Sequence, residues 1–172
     1  MSDDAPLALD RLSLPPSVVS KADVARLSVE LERIDNDLST NTVRTKVGAA
    51  AQDVPPMSRQ LADFVLENKL DINVATLRTQ LIKQVNSMKD TLPIIHMTFA
   101  SEADRESLGQ LALWLRQEVH PQAVIDVGLQ PGLVAGVYVR TANRVFDLSL
   151  KGALKGGRGI LTNELRALYG RA

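Results

Sequence analysis

Pro93 divides this chain into two grammars, and that division constrains its fold more than any other feature. Before it, apolar residues recur at helical spacing; after it, short β-prone runs are punctuated by glycine and proline. In the first half Val24, Leu27, Leu31, Ile34 and Leu38 follow one another at steps of three and four, which predicts a single apolar seam along a helix. Ser17 or Ser20 supplies the cap, and Glu30, Glu32, Arg33 and Asp35 occupy the other faces. The seam is too short for an independent coiled coil, so the helix belongs to a small bundle. A weaker segment at 42–51, around Val43, Val47 and Ala50, reads as a short separate helix. Pro55-Pro56 breaks the chain, and Pro56 suits the first turn of the next helix, 57–68, which sets Leu61, Phe64 and Val65 on one side. Asp71 or Asn73 then caps an amphipathic helix marked by Val74, Leu77, Leu81, Val85 and Met88.

Beyond Pro93 the run 94–99 is a strand, too brief and too β-prone for a helix. Ser101 and Asp104 have the spacing of a capping box, and the helix they open buries Leu108, Leu111, Leu115 and Trp114. It stops before His120-Pro121, because the residue ahead of a proline is pushed out of the helical region. Residues 122–127 form a second strand, and 133–140 and 145–150 form a hairpin closed through Thr141-Ala142-Asn143-Arg144. Asn143 tolerates the left-handed conformation of a tight turn. A helix between two strands implies a parallel pair with a right-handed crossover. The expected fold is α+β: a helical bundle followed by a small α/β domain with a mixed sheet. The expected divisions are a flexible leader at 1–16, a bundle at 17–90, the α/β domain at 93–154 and a basic tail at 155–172.

Function classes fall away one by one. The 20 basic and 20 acidic side chains cancel, so no global field draws a polyanion. Aromatic residues make up 3%, too few for a base-stacking platform. The chain has no cysteine, which excludes disulfides and thiolate metal sites. His96 and His120 lack metal-ligand spacing, and the glycine-rich run 152–159 lacks the Lys-Ser/Thr ending of a phosphate loop. The amino terminus is acidic with no apolar run behind it, so no secretory signal is expected, and no stretch is long and apolar enough to span a bilayer. No cofactor, metal or catalytic residue is expected.

The run 129–150 carries an informative pattern. Pro131, Leu133-Val134, Ala135-Gly136, Arg140, Ala142-Asn143, Val145-Phe146, Asp147, Ser149 and the later Leu154 resemble the carboxy-terminal signature of the delta subunit of F-type ATP synthases, the family of the oligomycin sensitivity-conferring protein. Gly136, read as a mid-strand residue, indicates close approach by another backbone, and Asp147 and Ser149 lie on one strand face able to bond the hairpin. Ala142 replaces the glycine common at that turn, Leu148 stands where a small residue is frequent, and the first half lacks the family's alanine-rich opening helix. The resemblance covers residues 93–154. It implies a non-catalytic peripheral-stalk subunit joining the alpha and beta head to the b subunits, so that proton flow is coupled to ATP synthesis. It implies alpha and b subunits as partners, no nucleic acid, and peripheral attachment to the cytoplasmic side of a bacterial cell membrane through those partners. Leu27, Leu31 and Ile34, and Leu111 and Leu115, are the candidate partner contacts. An unrelated helix-binding adaptor is the alternative reading.

Overall fold

A computed structural model describes residues 12–141, 143–153, 155, 159 and 163. The order of elements is α1 (Lys21–Lys46), α2 (Arg59–Glu67), α3 (Ala75–Thr91), β1 (Ile94–Phe99), α4 (Arg105–Glu118), β2 (Val124–Leu129), β3 (Gly136–Arg140) and β4 (Val145–Ser149). The fold is α+β, helices first and a mixed sheet after them. The chain divides into two compact units. One holds residues 1–93 with 106–124, and the other holds 94–105 with 125–172.

The helical unit is organised by the seam on α1. Val24, Leu27, Leu31 and Ile34 are all buried, and α1 packs chiefly along α3, with α2 at its side. Ser20 caps α1 in a capping box with Asp23, whose carboxylate accepts from the Val19 and Ser20 amides at 3.1 and 3.0 Å. Polar ties fix the register between α1 and α3. Ser28 Oγ donates to Asn86 Oδ1 at 2.6 Å, and buried Arg78 donates from Nε to Asp35 at 2.7 Å. The Arg78 Nη1 also donates to the Ile72 and Asn73 carbonyls, closing the turn ahead of α3.

Several local expectations change. Residues 42–46 continue α1 instead of starting a separate helix, since Thr42 and Thr45 bond back to the carbonyls four residues earlier within an unbroken ladder. The next helix starts at Arg59 with Ser58 as its cap, so Pro56 stays outside the first turn. Glu30 selects that start, accepting from both the Ser58 amide and hydroxyl at 2.6 Å. Val74, without a side-chain bond, occupies the cap position of α3, because Asp71 is spent accepting the Asn73 amide at 2.9 Å. Ser101 lies outside α4, which opens at Arg105. Trp114 is 54% exposed and Leu108 and Leu111 are half-buried, while Ala112, Leu115 and Arg116 supply the buried face. The second strand is shifted to Val124–Leu129.

Residues 12–16 are packed, contrary to the expectation of a flexible leader: Leu12 and Leu14 are buried, as are Val18 and Val19 just beyond. Arg116 is the reason. Its guanidinium donates to the Leu14 and Pro15 carbonyls at 2.9 Å each and to that of Val18, while Nε donates to Ala123 at 3.1 Å. Burial lowers its pKa to about 10, so it still carries its charge at neutral pH. Carbonyl dipoles supply the compensation that a carboxylate would otherwise give. Gly109, on the same helix, lets the Pro16 carbonyl come within 2.9 Å of where a Cβ would stand.

The sheet has the order β2-β1-β3-β4. Val124 N bonds Pro93 O and Gln130 N bonds Phe99 O, the same offset of 31 residues in the same direction (124 − 93 and 130 − 99), so β1 and β2 are parallel. β1 pairs antiparallel with β3, His96 opposite Arg140 and Phe99 opposite Val137. β3 pairs antiparallel with β4, Gly136 opposite Ser149 and Arg140 opposite Val145.

Arg116→Leu should destabilise the chain by about 3 kcal/mol, because it strands buried carbonyls as well as removing a charge. Arg116→Lys should recover only part of the loss, since an ammonium lacks the planar fork. Denaturant midpoints measured on all three proteins check both statements.

Candidate interaction site

The matched run 129–150 folds as one tightly bonded device in the sheet unit. Gln130 is extended, as a residue before proline must be, and Pro131 opens a 3-10 turn, Pro131–Leu133, with its fixed φ already suited. Leu133 is buried and anchors that turn. Val134 then takes φ 65 and ψ −53, while Ala135 N bonds Leu133 O at 2.8 Å. This is a γ-turn of the rare positive-φ kind, here centred on a β-branched residue that is 76% exposed. The strained turn is held from both sides. Val134 N bonds Pro131 O at 3.1 Å, and Leu150 N bonds Ala135 O at 2.9 Å.

Gly136 follows, with φ +95. It opens β3 and is not a mid-strand residue. A Cβ there would stand 2.4 Å from Leu148 O and 2.7 Å from Ser149 Cα, distances no side chain can adopt. Both the backbone angle and the opposing strand therefore demand glycine.

The far strand ends in a second bonded cluster. Asp147 Oδ1 accepts from the Ser149 amide at 3.0 Å and from the Ser149 hydroxyl, and its Oδ2 accepts from Tyr138 OH at 3.0 Å. Ser149 Oγ in turn accepts from Gly152 N at 3.0 Å, which makes Ser149 the cap of the helical residues 150–153. The hydroxyl and amide of Ser149 hold the Asp147 carboxyl below its ordinary range, with Tyr138 and Lys155 adding to the effect. The Tyr138 phenol is pushed up by its bond to that carboxylate and by the negative charge beside it. Residues 155, 159 and 163, within the stretch 155–172 that the sequence reads as a basic tail, are helical as well.

The remaining matched positions are structural in different ways. Arg140 is exposed at the end of β3. Asn143 sits in a bend, and the loop is closed by Thr141 N to Arg144 O at 2.9 Å. Ala142 and Leu154 lie outside the described residues. Of the candidate partner contacts, Leu27, Leu31, Ile34 and Leu115 are core and are not exposed, while Leu111 is half-buried. The seam that marks Leu27 and its neighbours was spent inside the chain, on packing among its own helices. Sequence reasoning misses the exposed apolar groups of the sheet unit, among them Val134, Leu148 at 63% and Leu150 at 47%. Leu148 carries the one usable signal: it stands where a small residue is frequent in the resembling family.

Two measurements test this geometry. Gly136→Val should cost about 2–4 kcal/mol through the left-handed angle and the collision with β4. Hydrogen exchange should show the loss concentrated in 136–149. The acid limb of stability should also respond to Asp147. Its folded pKa is depressed, so its contribution is present above the unfolded value and is lost as pH falls through the folded one. Asp147→Asn should flatten that limb in melts followed from neutral to acidic pH.

A comparison with curated proteins returns no match. A family model described as ATP synthase delta (OSCP) subunit matches residues 22–158, from the first turn of α1 to beyond β4. The match thus reaches well into the helical half, further than the signature alone. Both the helical seam and the bonded hairpin lie within it, and the chain belongs to the ATP synthase delta (OSCP) subunit family, a peripheral-stalk component of F-type ATP synthase.

Proposed function

We propose that this chain is a mechanical link without catalytic chemistry of its own. It joins the alpha and beta head of the synthase to the membrane-anchored b subunits, so that rotor torque is resisted and proton flow is coupled to ATP synthesis. The observation that supports this most is the family match across 22–158. The construction of the chain agrees with such work. Its conspicuous polar groups are committed to caps and clamps: Asp23 to the start of α1, Glu30 to Ser58, Arg116 to carbonyls, and Asp147 to Ser149. No described helix is long and apolar enough to cross a membrane, so attachment on the cytoplasmic side of a bacterial membrane would run through partners.

In this reading α1 offers an alpha-subunit contact around Val29, which is 67% exposed beside Ala25 and Arg33. A b helix would meet the apolar groups of the sheet unit at 134, 148 and 150. These surfaces replace Leu27, Leu31, Ile34 and Leu115, which are covered.

A peptide from the soluble end of a b subunit should bind the full chain in calorimetry, with helicity rising on mixing. Leu148→Asp should weaken that binding roughly tenfold or more without lowering the melting temperature. Absence of heat at high micromolar peptide would defeat the proposal.

A further inference from the structure

The sheet has a second, polar face that the stalk reading does not use. Residues of alternate parity on β1, β3 and β4 line a shallow concavity of about 840 Å³. Its polar lining is His96, Thr98, Gln130, Tyr138, Arg140 and Thr141, with Ile94 and Val145 as apolar walls. No lining residue is a carboxylate, and the two carboxylates at its edge are engaged, Asp126 with His96 at 2.7 Å and Asp147 with Tyr138 at 3.0 Å. Both ionisable bases of the lining face each other directly across the β1–β3 ladder, His96 opposite Arg140.

His96 is bonded to Asp126 at 2.7 Å from Nδ1 to Oδ2. Arg140 is exposed and has no ion-pair partner among the described residues. Gly128 on β2 lies against Thr98, where a Cβ would come within 3.1 Å of Thr98 Oγ1. The lining also holds the Thr98 hydroxyl and the Gln130 amide, both able to donate to an oxygen acceptor, whereas the Thr141 hydroxyl donates to Arg144 O. A guanidinium without an ion-pair partner among the described residues, a histidine bonded to a carboxylate, and neutral donors in one lining are complementary to a compact oxyanion.

We propose that this concavity binds a small oxyanion, the phosphate or carboxylate group of a soluble ligand, anchored on Arg140 and completed by His96, Thr98 and Gln130. The inference stands apart from the coupling role, and failure of either leaves the other intact.

Phosphate titrated into the isotope-labelled full chain, at ionic strength held constant with chloride, tests it by NMR. Saturable shifts confined to amides near 96–98, 130 and 138–141 are expected. Arg140→Gln should raise the apparent Kd roughly tenfold or more. Arg59→Gln, an exposed arginine of the helical unit, should leave it unchanged. Succinate in a parallel titration separates the sources: tighter phosphate binding assigns a phosphoryl group, tighter succinate binding a carboxylate, and either supports the site. Linear, unsaturated shifts spread over the chain with both anions would overturn it. So would an Arg140→Gln protein that binds as well as the parent.

Discussion

The contact between the Gly136 backbone and residues 148–149 sets the geometry of the sheet unit. β3 is hydrogen-bonded on both sides, to β1 and to β4, so a displacement at its first residue is passed to two ladders at once. The same contact brings Ala135 O to the Leu150 amide and leaves Ser149 where it can cap the helical residues after it. The strained turn at Val134 persists because these bonds over-determine it. A side chain at 136 would therefore disturb the turn, the ladder and the cap together.

Arg116 plays the corresponding part in the helical unit. A buried cation ordinarily seeks an anion, but this one gathers the carbonyls of a segment that has no secondary structure to satisfy them. Charge and unpaired dipoles solve each other's problem. The segment ahead of α1 becomes part of the core, and the capping box at Ser20 begins from a fixed point. Both devices are positional: they set where backbone goes and ask nothing of proton transfer.

Much of this was legible in the residues, and the reasons for the remainder are physical. The α1 seam could be read because one side of a helix against one core gives a clean period. β1 could be read from end to end because proline precedes it and its six residues are β-prone. Trp114 misled because size and hydrophobicity say nothing about which side of α4 faces inward, and the small Gly109 and Ala112 mark that side instead. Arg116 was invisible, since an arginine in a helix reads as a solvated charge until its long-range partners are known. The turn at Val134 was read as strand because valine favours strands, and only bonds from distant residues force it into a left-handed angle. In the interaction site, Asp147 and Ser149 could be assigned to the hairpin from their spacing. The exposed apolar groups could not, because exposure depends on what the rest of the chain leaves uncovered.

The last stretch of α1 has a consequence of its own. The helix runs for 26 residues, but its buried positions end at Ile34. Past Asp35, which Arg78 still holds, it projects, and the returning segment braces it: Asn41 exchanges both amide bonds with Gln52 at 2.8 Å, and Arg44 holds Ala50. Such a projection behaves as a cantilever. Bending it disturbs no core, so its tip can yield elastically while its root stays fixed, and thermal agitation at the tip need not reach the packed half of the molecule.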